Sequence, residues 1–402
     1  MSEHHCGYPH SVRGESWDVT ARQRVVAGRG TASRLGELLR DHGARRVLIV
    51  TDPGLRETGT VDDIATAVGA FGAAVTVHSE IPGNPSTAAV DVATAVARDC
   101  RADLVLALGG GSALDAAKAV ALLCRTDLSA EVLDGSEHIA APALPIAAVP
   151  TTAGTGAETN GFGVLESADR RKVYLGSDRT VPALVVLDAE LTLGLPAAVT
   201  AASGFDAVIH GAESLLSQGA TAMSRAYAAE SLRLTTAALP AAVADSSDIE
   251  ARSRMLIGAH LAGRALTLSG LGLVHGIGHA LTATLGTPHG VALAAIAAPA
   301  LRFGRDAAPD RYAELGRALS LGGPDDHAID EIIVLAMQVG LPTTVEAIGV
   351  TDDLVDTLVA KTLADAVTRN APRIPAHAEL TALFRESLCA ERLPAGRGVP
   401  GL

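Results

Sequence analysis

Between about Arg45 and Val149, short runs rich in β-branched residues and leucine alternate with stretches whose apolar residues recur at helical spacing, the pattern of a wound α/β sheet. The runs predict strands over Val47–Val50, Ala74–Val77, Leu104–Leu108 and Ile146–Val149. The periodicity between them predicts helices over Val61–Phe71, Ser86–Asp99 and Ala113–Leu123. In the irregular stretch that follows, Phe162–Leu165 and Lys172–Leu175 can pair as a hairpin around Ser167-Ala168-Asp169-Arg170, and Val185–Leu187 reads as one more strand. After about Pro196 the chain turns Ala- and Leu-rich with helical period. The expected organisation is a loose polar leader over 1–20, an α/β domain over 21–195 and a helical domain over 196–402. A cleft between the two domains is the natural place for a site.

Composition narrows the classes. At 402 residues the chain is too long for one ordinary core, and 48% hydrophobic against 19% charged residues excludes a disordered one. A net charge of −13 with no basic run argues against a nucleic-acid partner. Every long apolar stretch is broken by Asp, Lys, His or Arg, so no membrane helix is expected. The first residues carry no apolar segment of a secretory signal, and Cys6, Cys100, Cys124 and Cys389 are scattered, which suits a reducing cytoplasm. Only Lys118, Lys172 and Lys361 depart from an otherwise all-arginine use of basic residues.

Chemistry is concentrated in a few short motifs. Asp206-x-x-x-His210 and His275-x-x-x-His279 each place two polar groups on one helix face, and Thr287-Pro288-His289-Gly290 follows. Their neighbours are Gly, Ala, Leu and Val, so these groups are expected to be buried and to need partners. One carboxylate with imidazoles is a ligand set for one divalent ion, iron(II) or zinc, rather than calcium or magnesium. In the α/β half, the strand ending at Leu108 runs into Gly109-Gly110-Gly111-Ser112 and then a helix, an arrangement that holds a diphosphate on free N–H groups and the helix dipole. Ser112 can cap that helix, with Asp115 completing a capping-box-like pair. A second loop, Pro150-Thr151-Thr152-Ala153-Gly154-Thr155-Gly156, offers three hydroxyls to a cofactor, or is only a turn. Gly28-Arg29-Gly30-Thr31-Ala32-Ser33 imitates a dinucleotide fingerprint but has serine at the third glycine position and is discounted. Asp52 stands at a strand end, either accepting from ribose hydroxyls or opening the Asp52-Pro53-Gly54 turn.

Taken in order, the blocks Gly109 to Lys118, Pro150 to Glu158, Gly204 to His210, Gly270 to His279 and Thr287 to Gly290 resemble the iron-containing (group III) alcohol dehydrogenase family over nearly the whole chain. The resemblance implies an α/β N-terminal dinucleotide-binding domain plus an all-α C-terminal metal-binding domain, the fold shared with dehydroquinate synthase. It implies metal ligation by Asp206, His210, His275 and His289, and proton transfer by His279. It assigns Gly110, Gly111 and Ser112 to the diphosphate loop, with Asp115 of the same block a further cofactor-binding candidate, Thr151, Thr152 and Thr155 to the second cofactor loop, and Lys172 and Asn84 to cofactor contacts. It gives Asp52 the choice of NAD(H) over NADP(H). The implied reaction is hydride transfer between nicotinamide C4 and a small alcohol or aldehyde, in a homodimer or larger homo-oligomer. Ala280, Gly211 and Ala157 depart from residues common in the family and leave the substrate open, as does the modest Leu266 near the expected pocket. Alternatives are a maleylacetate, phosphonate-aldehyde or semialdehyde reductase, a redox-neutral sugar-phosphate lyase of the dehydroquinate synthase type, and a binding module without activity.

Overall fold

The computed structural model describes residues 23–134, 139, 141–169, 171–319 and 327–388. The expected leader, Cys6, Arg170 and Cys389 lie outside them. The first half carries β1 Arg24–Ala27, β2 Arg46–Val50, β3 Ala74–His78, β4 Leu104–Gly109, β5 Ile146–Pro150, β6 Phe162–Glu166, β7 Lys172–Gly176 and β8 Leu184–Leu187. Its helices are α1 Leu35–Asp41, α2 Pro53–Glu57, α3 Thr60–Gly69, α4 Thr87–Asp99 and α5 Gly111–Leu123. Six strands form one parallel sheet in the order β1-β8-β5-β4-β2-β3. Central Leu106 is flanked by Ile49 on β2 and Ala147 on β5.

Both faces of this sheet are covered, which is why its strands are continuous apolar runs rather than alternating ones. Successive side chains point to opposite faces. Leu48, Val50, Val105 and Ala107 pack with α4 and α5, whereas Val47, Ile49, Leu104 and Leu106 pack with α1 and α3. The expected hairpin forms as β6 and β7 in antiparallel register, with Leu165, Val173 and Leu175 buried against the α5 side. Strand β1 is not legible in the pattern. It is a four-residue edge strand of mostly exposed residues, and edges lack the buried run that marks a central strand.

From Ala197 onward the described chain is helical: α6 Ala197–Leu216, α7 Ala222–Ala244, α8 Ile249–Ser269, α9 Leu273–Leu285, α10 His289–Gly304, α11 Pro309–Ala318, α12 Ala328–Gln338, α13 Val355–Ala364 and α14 His377–Leu388. Their shared core extends to Val185, Leu187 and Ala153 of the first half, so the two halves are packed together. A polar seam reinforces the junction: buried Glu158 meets His260 Nδ1 at 3.0 Å, and Asn160 Nδ2 donates to Thr267 Oγ1 at 3.3 Å. Gly156 makes the approach possible, because it sits at φ +62 and a Cβ there would lie 2.5 Å from Gly263 Cα. Among the described residues no single helix is long and apolar enough to cross a membrane.

Candidate metal centre and cofactor cleft

Helix α6 is almost entirely buried in its second half and presents Asp206 and His210 one turn apart on one face. His275, in the first turn of α9, and His289, the first residue of α10, arrive from across the bundle. Asp206 Oδ1 is the hub: His210 Nε2 and His275 Nε2 each lie 3.5 Å from it, and His289 Nε2 lies 3.7 Å away. The rings of His210 and His275 stack with centroids 4.6 Å apart. Asp206, His210 and His275 are buried, while His289 is about one-third exposed.

Two atoms test whether a cation fits. Asp206 Oδ1 and His275 Nε2 are fully buried and have no hydrogen-bond partner, although they face each other. Leaving buried polar atoms unpaired costs about 1–3 kcal/mol each, and a cation accepting both lone pairs removes that cost. The protonation pattern suits the role. Burial works to raise the Asp206 carboxyl, but the surrounding imidazoles of His210, His275 and His289 hold it well below the usual carboxylate range. Burial lowers His210 to about 4 against the pull of Asp206, and lowers His289 to about 3, so both rings are neutral donors. His275 is raised to about 9 because its contacts with Asp206 and Glu213 outweigh its burial. A metal would displace that proton.

Gly290 explains the Pro-His-Gly motif physically. A Cβ there would lie 1.9 Å from Ala202 O on α6, so only glycine lets the α10 backbone, and with it His289, reach the helix that carries Asp206. Gly290→Ala is therefore expected to push α10 away, at about 2–3 kcal/mol of stability, and to weaken metal binding. A thermal unfolding midpoint equal to wild type would refute this account of the motif.

Around these ligands stand carboxylates that the sequence pattern did not single out. Glu213 lies beside His275 on the face of α6 that bears Asp206, and Asp365 Oδ2 lies 2.8 Å from His279 Nδ1. His279 is one turn beyond His275, its ring 5.3 Å from that of His289. The i+7 position of Glu213 after Asp206 was a usable signal. Asp365 comes from 86 residues away and left none.

The cofactor loops converge at the C-terminal edge of the sheet, where β2, β4 and β5 are neighbours. Helix α5 begins at Gly111 with Gly110 as its N-cap, and no side chain caps it. This corrects the expected cap by Ser112. Asp115 is corrected as well: its Oδ2 accepts from Val164 N at 3.0 Å and its Oδ1 pairs with buried Lys118 Nζ at 3.4 Å, so it anchors the hairpin to α5. Lys118 in turn donates to Phe162 O. With no side-chain cap, the N–H groups of the first turn of α5 can receive an anion. Thr152 packs against Gly110 and Thr155 against Gly111, so the two loops face each other, while Thr151 is buried with its N–H on Gly109 O at 3.0 Å. Asp52 opens the turn as one reading expected: Oδ1 caps α2 by accepting from Leu55 N at 2.9 Å, while Oδ2 is turned toward Gly109. Asn84 adopts φ +55 in an exposed turn tied to β6 by Glu166 N donating to Pro85 O. Lys172, opposite Glu166 on the hairpin, reaches its Oε2 at 3.5 Å. The imitation fingerprint has a structural use, since Gly30 N and Ala32 N both donate to the Asp188 carboxylate.

The model of the family described as iron-containing alcohol dehydrogenase matches residues 22–189, and that of its C-terminal region matches residues 200–388. The NAD-dependent methanol dehydrogenase of Bacillus methanolicus is 30% identical over 90% of this chain and 97% of its own. The lactaldehyde reductase of Escherichia coli K12 is 31% identical over 86% of this chain and 93% of its own. Among solved structures, a 1,3-propanediol oxidoreductase superposes with TM-score 0.87 at 31% identity, covering 90% of this chain and 97% of its own. The sulfoacetaldehyde reductase of Bifidobacterium kashiwanohense, solved with NAD+, gives TM-score 0.87 at 29% identity, covering 94% and 100%.

Proposed function

Because the chain belongs to the iron-containing alcohol dehydrogenase family and is thus an oxidoreductase acting on CH–OH groups, we propose that it interconverts a short-chain alcohol and its aldehyde with NAD(H). Asp206, His210, His275 and His289 hold one divalent metal, iron(II) ahead of zinc(II). The observation that carries the reading is the pair of orphaned buried atoms, Asp206 Oδ1 and His275 Nε2, at the meeting point of α6, α9 and α10. The short-chain class is supported by relatives named for methanol, lactaldehyde and 1,3-propanediol. The free thiols of Cys100 and Cys124 suit the reducing cytoplasm.

When bound, the metal supplies Lewis acidity and the nicotinamide the hydride. The protein's part is alignment. Backbone N–H groups at Gly111 and Ser112 hold the diphosphate at the start of α5, with Thr152 and Thr155 on the facing loop. Lys172 on the hairpin, which pairs with Glu166, and Asn84 in the turn bonded to that hairpin would supply further cofactor contacts. His279, with Nδ1 engaged by Asp365, keeps Nε2 for proton exchange with the cleft.

Asp52 selects NAD(H), because its Oδ2 would repel a 2′-phosphate while accepting from ribose hydroxyls. Asp52→Ala should shift the NADPH-to-NADH ratio of kcat/KM by at least about tenfold, roughly 1.4 kcal/mol. An unchanged ratio would leave Asp52 with only its capping role. The reaction itself is tested by NADH oxidation by anaerobically purified protein with added iron(II), against a panel of short aldehydes with a metal-free control. Turnover that ignores metal, or its absence across the panel while metal and NADH both bind, would overturn the proposal.

A further inference from the structure

Glu213 follows Asp206 by seven residues and His210 by three on α6, so all three share one face of a buried helix. Its side chain is 5% exposed. A carboxylate so buried is tolerated only where its lone pairs are filled, and here the hydrogen-bond partners come from one short segment, residues 272–275. Oε1 accepts from Val274 N at 2.7 Å, and Oε2 accepts from Gly272 N at 3.1 Å and from His275 N at 3.2 Å. The same Oε2 lies 2.6 Å from His275 Nδ1. Helix α9 has Gly272 as its N-cap and no cap from its own side chains, so Glu213 caps it from another helix.

We propose that Glu213 is the positioning residue of the metal centre: it holds the proton of His275 on Nδ1, turns the Nε2 lone pair toward Asp206, and thereby sets how tightly the metal is kept. The inference rests on the metal-centre reading above. A carboxylate on the far nitrogen fixes the tautomer of a ligating imidazole and raises its basicity, and losing such a partner typically weakens metal affinity about 10–100-fold. It also adds a second carboxylate behind His275, outside the ligand set, that offsets the dication. A cap that served only the helix would contribute to folding and leave affinity unchanged.

The two roles separate in a cobalt(II) titration of metal-free protein, followed by its visible absorption, with wild type, Glu213→Gln and Glu213→Asp compared after near-UV circular dichroism shows each folded. The expected result is a Kd raised about 10–100-fold in Glu213→Gln with an altered absorption band, and a smaller rise in Glu213→Asp. A folded Glu213→Gln that binds cobalt as wild type does would overturn the proposal, leaving a helix cap. Failure of wild type to bind would instead bring down the metal-centre reading itself. Should both variants fail to fold, a long-range proton–nitrogen NMR spectrum of zinc-loaded wild type decides the point. His275 protonated on Nδ1 supports the assignment, and metal on Nδ1 overturns it.

Discussion

Alanine in place of Asp206 should give a folded protein that retains no divalent metal and whose kcat/KM falls at least about 1,000-fold, equivalent to roughly 4 kcal/mol. The size follows from the geometry. One oxygen, Oδ1, faces three imidazole nitrogens at 3.5, 3.5 and 3.7 Å, and it is the only carboxylate in the compact group with His210 and His275. Without it a dication would sit in a buried site among neutral rings, with its nearest counter-charge on Glu213 behind His275. The fold should survive, because Asp206 makes no hydrogen bond through Oδ1 and Glu213 still holds the start of α9. Metal content by atomic emission, measured on anaerobically reconstituted protein alongside kcat/KM, checks both halves. Full occupancy in Asp206→Ala would remove it from the ligand set. Asp206→Asn, which keeps an oxygen donor without the charge, should fall between the two.

How much of this was legible in the sequence depends on how far each contact reaches along the chain. Asp206 and His210 stand one turn apart on a single helix, so helical spacing alone brings them together. That His275 stacks on His210 is another matter, since it depends on how α6 and α9 cross, and nothing local records a crossing. The same limit hid Asp365, whose partner His279 lies in another helix. Glu213 was within reach of pattern reasoning, but a glutamate on a helix ordinarily reads as solvent-facing. Ser112 and Asp115 show a local rule losing to a tertiary one. Their spacing fits a capping box, yet Asp115 gains a bond to Val164 N and an ion pair with Lys118 by turning toward the hairpin. Sheet order was hidden for a similar reason: consecutive apolar runs mark buried parallel strands but do not say that β8 returns to lie between β1 and β5. The fold class, by contrast, follows from the change of period near Pro196, and the run of helices that makes up the second half begins at Ala197.

His279→Ala should lower kcat by about 100- to 10,000-fold, the range for loss of a general acid–base group, with metal content unchanged. The contrast with Asp206→Ala is the point of the experiment. His279 is partly exposed and bonded through Nδ1 to Asp365, whereas Asp206, His210 and His275 face one another in the buried group. Its ring lies 6.0 Å from that of His275 and 5.3 Å from that of His289, near enough to act on the same small molecule. A ligand and a proton carrier at such close quarters cannot be told apart by activity alone, because removing either stops turnover. Metal content tells them apart: His275→Ala loses both metal and turnover, while His279→Ala loses turnover with the metal in place. Unchanged turnover and an unchanged pH profile would transfer the proton step to another donor, and loss of the metal would make His279 a ligand instead.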